Sequence, residues 1–275
     1  MSDLAVYERL SRRVSFAGAN GYPLAGIIDS PQTSPLATVL FSHCFTCNKD
    51  LKAIVRISRR LAELGIAVLR YDWTGLGGSE GHFSETTFSS GVADLKAAAF
   101  FCASELGGPH FLLGYSLGGA ASLAVASEID TLTGVLTIGA PSDTYHLADL
   151  LERMDPQIVV TGSGSVSIGG RRWQIGRRLI EDLRSFDLQS CLDRLDLPVF
   201  LIHSLVDETV DFWHALRLFS LLTSVNQRSR QPISLLSLPN ADHLLSRNAD
   251  DLEWVSQSIA RWIFGVQGNS PEAAW

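Results

Sequence analysis

The run Leu112-Leu113-Gly114-Tyr115-Ser116-Leu117-Gly118-Gly119 reads G-x-S-x-G at its centre, and its flanks give that pattern meaning. Pro109-His110-Phe111 leads in as the start of an apolar run of strand length, and Ala120-Ala121-Ser122-Leu123-Ala124-Val125-Ala126 follows, rich in helix formers. A strand that turns straight into a helix holds its turn residue in strained backbone geometry with its neighbours packed very close. Glycine at 114 and 118 removes the Cβ atoms that would collide there. The pattern therefore predicts a nucleophile elbow, with the Ser116 hydroxyl at a helix N-terminus where free N–H groups and the helix dipole favour a developing negative charge. The bland alternative is a glycine-rich packing corner with no chemistry.

Outward from the elbow, strands and helices alternate. Residues 14–29 read as two strands around Asn20-Gly21, a pair that tolerates positive φ. Residues 37–42 are a continuous apolar run of the kind buried on both faces of a parallel sheet, 66–72 read as the next strand and 132–138 as another buried strand. Leu51, Ile54, Ile57, Leu61 and Leu64 recur at helical spacing, and Gly65 stops the helix. A second helix is expected over about 89–104. Later come a strand at 198–202, a helix at about 212–222, a strand at 233–238 and a helix at about 250–264. The expected fold is α/β: a mostly parallel central sheet covered by helices on both faces. The rhythm breaks between 142 and 195, where Gly169-Gly170 marks a hairpin turn and a charged helix follows. The expected organisation is thus a core of 1–141 and 196–264, a small cap insertion at 142–195 (hairpin plus helix), and a flexible tail at 265–275.

Composition agrees with an enzyme-sized α/β domain. Of 275 residues, 46% are hydrophobic and 19% charged, enough for a substantial core and unlike a disordered chain. A formal charge of −7 and no basic run argue against nucleic acid as a partner. The stretch from 106 to 127 has no Asp, Glu, Lys or Arg, but it contains Pro109, His110 and five glycines; it reads as buried core, not a membrane span. The first residues carry acids and no apolar h-region, so the expected location is cytoplasmic. Four cysteines are too few for a disulfide scaffold.

A serine hydroxyl needs a base to take its proton and a third group to orient the base. In an elbow fold these partners follow in the order acid, then histidine, each in a loop after a late strand. After the 198–202 strand comes His203-Ser204-Leu205-Val206-Asp207-Glu208-Thr209-Val210, and Asp207 is the expected acid, with Glu208 and Asp211 as alternatives. Asp211 directly precedes a helix and suits a cap better. After the last strand, Pro239-Asn240-Ala241-Asp242-His243-Leu244 supplies His243 as the base; the other six histidines read as surface or structural. The oxyanion hole needs the N–H after the nucleophile, Leu117, and one from the loop His43-Cys44-Phe45-Thr46-Cys47-Asn48-Lys49-Asp50, where Phe45 is the expected donor. Tyr115, Trp173 and Leu244 are the expected substrate-binding residues, Trp173 because a Gly169-Gly170 hairpin puts it opposite Val166 on one apolar face. Gly75-x-Gly77-Gly78 lacks dinucleotide spacing, so no nucleotide, cofactor or metal is expected. Cys44-x-x-Cys47 reads as two small packing residues around the oxyanion loop, with a thiol-redox pair as the alternative.

The order of elbow, Asp207 and His243 resembles the α/β-hydrolase superfamily over nearly the whole chain. More narrowly, residues 43–50, Tyr71-Asp72-Trp73-Thr74-Gly75-Leu76-Gly77-Gly78-Ser79-Glu80-Gly81, Thr137-Ile138-Gly139-Ala140-Pro141 and Val166-Ser167-Ile168-Gly169-Gly170-Arg171 resemble bacterial hydrolases often fused to an OsmC-like peroxide-handling domain. No stretch within the 275 residues reads as such a domain, so none is expected. The resemblance implies a serine hydrolase that cleaves small acyl or aryl carboxylic esters through an acyl-enzyme. Thioester or amide cleavage by the same triad and a peroxide-linked thiol function through Cys44 and Cys47 are the alternatives. The expected partner is a small-molecule ester; a homodimer and a functional link to an OsmC-like protein are left open.

Overall fold

The computed structural model describes residues 5–229 and 231–268. The chain opens on a hairpin, β1 (Arg9–Ala17) and β2 (Pro23–Pro31), then alternates: β3 (Ala37–Ser42), α1 (Lys52–Glu63), β4 (Ile66–Tyr71), α2 (Phe88–Leu106), β5 (Phe111–Tyr115), α3 (Leu117–Val125) and β6 (Gly134–Ile138). Every residue of β3, β4, β5 and β6 is buried, as continuous apolar runs require. After an insertion come β9 (Val199–Ser204), α8 (Trp213–Ser229), β10 (Ile233–Leu238) and α9 (Ala249–Val266). Of the expected tail, 265–266 thus belong to α9, and 269–275 lie outside the described residues.

The eight strands stand in the order β1-β2-β4-β3-β5-β6-β9-β10, antiparallel at β1–β2 and β2–β4 and parallel elsewhere. One apolar layer sits between the sheet and α1 and α9; the other holds α2, α3, part of α8 and the insertion. β5 is central, so Ser116 emerges at the carboxyl edge of the sheet, where open α/β sheets form their sites.

The insertion comprises α4 (Tyr145–Met154), α5 (Gln157–Thr161), β7 (Ser163–Ile168), β8 (Arg171–Gly176), α6 (Arg177–Ser185) and α7 (Leu188–Leu192). Gly169 and Gly170 both have positive φ, 59° and 74°, as a two-residue hairpin turn of this hand demands, and Val166 pairs with Trp173. The sequence does not signal α4, which opens without a side-chain cap and buries only Leu147, Ala148 and Leu151.

Close approach of backbone at the elbow leaves no room for side chains. A Cβ on Gly114 would sit 2.3 Å from the Gly118 oxygen, and one on Gly118 would sit 2.4 Å from both the Ser42 and His43 oxygens. Those neighbours are backbone and cannot swing aside. Gly118→Ala is therefore expected to cost about 1–3 kcal/mol through overpacking. Urea unfolding measures it; an unchanged midpoint would show that α3 is free to shift.

Candidate active site

Ser116 caps α3 with φ 52° and ψ −119°, a conformation that side chains adopt only when the surroundings impose it. Its N–H is tied to the Ile138 oxygen at 2.8 Å. The amides of Leu117 and Phe45 have no acceptor among the described residues, so both are available to an incoming oxyanion. Because Gly118 lies against the Ser42 and His43 carbonyls, the elbow packs directly on the start of the loop that carries Phe45.

The expected acid and base meet. Asp207 Oδ2 lies 2.7 Å from His243 Nδ1, while Asp207 Oδ1 accepts from the N–H groups of Thr209 and Val210 at 2.9 and 2.8 Å. Burial pushes the Asp207 carboxyl up, but the bond to and charge of His243, with those two amides, hold it below the ordinary carboxylate range. Of the alternatives, Glu208 is exposed and Asp211 accepts from Trp213 N–H as a helix cap. His243 is brought to the elbow by Tyr115, whose hydroxyl donates to the His243 carbonyl at 2.7 Å, and by Gly139, whose missing Cβ would stand 3.2 Å from His243 Cε1. No hydrogen bond joins Ser116 Oγ to His243 among the described residues. Such contacts commonly close only when substrate is bound.

The esterase domain of a Rhodothermus marinus protein is 36% identical and superposes with a TM-score of 0.69, covering 92% of this chain and 97% of the other. The chain belongs to the α/β-hydrolase superfamily of serine hydrolases. Its residues 33–153 match the serine aminopeptidase S33 family. The mitochondrial palmitoyl-protein thioesterase ABHD10 of Rattus norvegicus is 24% identical over 218 residues, 77% of this chain and 68% of that protein. Est1E of Butyrivibrio proteoclasticus with bound ferulic acid shares the fold at a TM-score of 0.78 and 19% identity, covering 93% of this chain and all of that one. The chain is thus a hydrolase by family, and no described helix is long and apolar enough to cross a membrane.

The loop of residues 43–50 that carries Phe45 is anchored at both ends. At the near end, His43 Nε2 accepts from Trp73 N–H at 3.1 Å, so its Nδ1 carries the proton and donates to the Cys44 carbonyl at 2.8 Å. Burial depresses the His43 pKa and keeps the ring neutral. The Cys44 carbonyl and the Phe45 N–H belong to one peptide group and point opposite ways, so pinning the first aims the second. At the far end, the buried Asp72 carboxylate accepts from Lys49 N–H at 2.6 Å and from Lys49 Nζ and Gly78 N–H at 2.7 Å each. Gly77 has no room for a Cβ, which would lie 2.2 Å from Asp72 Oδ2. The glycine loop therefore wraps a carboxylate of the protein itself. Arg70, paired with buried Asp29 at 2.7 Å, donates to the Lys49 carbonyl at 2.8 Å. The sequence offers no signal for these anchors beyond acids and bases standing in apolar strands.

Three expectations change. Cys44 and Cys47 are joined in a disulfide rather than packed as free thiols: the turn from Cys47 N–H to Cys44 O brings their Cα atoms within 5.2 Å. Tyr115 is fully buried and supports His243 from behind, so it lines no substrate surface. Trp173 is also buried and reaches the oxyanion loop through Phe83, whose ring is 5.1 Å from Trp173 and 5.6 Å from Phe45. Phe45 and Phe83 are half-buried; Leu244, beside His243, is exposed.

Since His43 and the Cys47 N–H hold the Cys44 carbonyl independently of sulfur, Cys44→Ala/Cys47→Ala is expected to retain ester hydrolysis within roughly tenfold. Steady-state kinetics decide it; a larger loss would make the disulfide the main support of the oxyanion amide.

Proposed function

We propose that this hydrolase cleaves carboxylic esters through an acyl-enzyme formed on Ser116, with His243 as base, Asp207 as its orienting acid, and the Phe45 and Leu117 amides as oxyanion donors. The observation that carries the reading is the 2.7 Å bond between Asp207 Oδ2 and His243 Nδ1, in the loops beside a strained serine flanked by two unengaged amides. With Nδ1 bound to the carboxylate, His243 Nε2 is the nitrogen left to take the Ser116 proton. Ser116 Oγ then attacks the ester carbonyl, and the oxygen that gains charge turns to the two amides. His243 returns the proton to the departing alcohol, and water repeats the sequence to release the acid. Ser116→Ala, Asp207→Asn and His243→Ala are each expected to lower kcat by roughly 10³-fold or more with unfolding nearly unchanged. If Asp207→Asn kept more than about a tenth of the activity, the acid would have to be Glu208 or Asp211.

A fluorophosphonate probe gives the parallel chemical test: labelling lost in Ser116→Ala supports the serine nucleophile, and labelling retained there refutes it.

For the substrate, the aromatic wall of Phe45 and Phe83 supports small acyl or aryl esters, with Trp173 setting the position of Phe83 from behind and Leu244 closing the His243 side. Thioesters are the second reading, favoured by the relatives named palmitoyl-protein thioesterases. Trp173→Ala is expected to let Phe83 shift and to reorder a panel of esters graded by chain length and aromaticity, while Ser116 stays reactive to a small probe. An unchanged ranking in a folded protein would make the hairpin a structural lobe only.

A further inference from the structure

β9 ends in His203-Ser204, and the following loop must present Asp207 and then enter α8. Asp207 can serve His243 only if one of its oxygens is held elsewhere, and Oδ1 is held by the amides of Thr209 and Val210. These amides fix the carboxylate only as far as residues 209 and 210 are themselves fixed. Glu208 and Thr209 are exposed, whereas Val210 is buried and its carbonyl lies 2.7 Å from His203 Nε2. A carbonyl only accepts, so Nε2 carries the hydrogen and the tautomer is determined.

His203 is well placed for this. It lies in β9, in register with Ser237 of β10, is buried, and meets the Phe212 ring at 5.9 Å. Its Nε2 also stands 3.6 Å from Asp207 Oδ2, the oxygen bound to His243. Burial lowers its pKa, which leaves it a neutral donor rather than a second cation competing for Asp207.

We propose that His203 is a positioning residue for the catalytic acid: its Nε2–H holds the Val210 carbonyl, Val210 N–H holds Asp207 Oδ1, and Oδ2 is thereby turned to His243. This rests on the triad reading above. His203 reaches the reacting serine only through Val210, Asp207 and His243, so its loss acts on the chemical step and leaves binding alone. Without the donor, a buried carbonyl loses its partner and the loop relaxes; a misplacement of the acid by an ångström costs up to about 10²-fold in rate.

The test compares three substitutions. His203→Phe keeps a ring and removes the donor; His203→Gln can put an amide nitrogen near the Nε2 position; His203→Asn is too short to reach it. Expected is a fall in kcat of about 10- to 100-fold for Phe and Asn, with KM within about twofold, and substantial rescue by Gln. The far-downfield proton resonance of the His243 Nδ1–H bond to Asp207 is expected to persist in the Gln variant and to weaken in Phe and Asn. If Phe does not fold, the Gln and Asn pair still decides. A folded Phe variant with wild-type kcat and an intact resonance overturns the proposal, as does a Gln variant no better than Asn. Should Ser116→Ala hydrolyse esters like the wild type, the triad reading fails, and the resonance alone then reports whether His203 positions Asp207.

Discussion

The structure depends on a steric constraint: α3 leaves β5 so abruptly that backbone from three segments meets with no side chain between. Gly114 touches the Gly118 carbonyl, Gly118 touches the Ser42 and His43 carbonyls, and Gly119 approaches the Ala140 Cβ position within 2.6 Å of where its own would be. This places Ser116 in its positive-φ conformation and packs the start of α3 against the end of β3. The same contact brings β3, β5 and β6 together at their carboxyl ends, so fold and nucleophile have one origin. Strain at Ser116 persists because the surrounding packing is stronger than one residue's preference.

Around this rigid centre, the other groups hang from loops, and each loop is tied to a buried polar group. Isolated buried charges are costly, and here each is compensated: Asp72 by Lys49 and backbone amides, Asp29 by Arg70, Asp207 by His243 and two amides. Hydrogen bonds to a fixed carboxylate are directional, so they hold a loop in place better than apolar contact does. His43 and His203, neutral through burial, act in the same way on carbonyls. On the proposed mechanism, the arrangement would keep the Phe45 and Leu117 amides and His243 in position before substrate arrives, which is how electrostatic stabilisation becomes effective.

Much of this was legible in the sequence because the signals were local. Gly114 and Gly118 around Ser116, the doubly apolar strands, and the positions of Asp207 and His243 after late strands all follow from spacing and fold order. The Gly169-Gly170 hairpin was legible for the same reason. What the sequence concealed depends on contacts across long separations. Tyr115 looks like a residue beside a nucleophile and therefore at the substrate, but strand alternation sends it inward to His243, 128 positions away. Cys44 and Cys47 are close in sequence, yet only the turn between them decides whether their sulfurs meet. Asp72 and Arg70 carry no motif, and the spacing of Gly75-x-Gly77-Gly78 does not show that its backbone amides gather round a carboxylate of the protein itself.

Catalysis through Ser116 as proposed requires that its Oγ become covalently acylated. Rapid acid quenching during turnover of a slowly deacylated aryl ester, followed by peptide mass mapping, tests it most directly. The acyl mass is expected on the peptide that contains Ser116, accumulating faster than product and lost in Ser116→Ala. Turnover with no adduct there, or an acyl group on Cys44, Cys47 or any other residue that accounts for the rate, would contradict it.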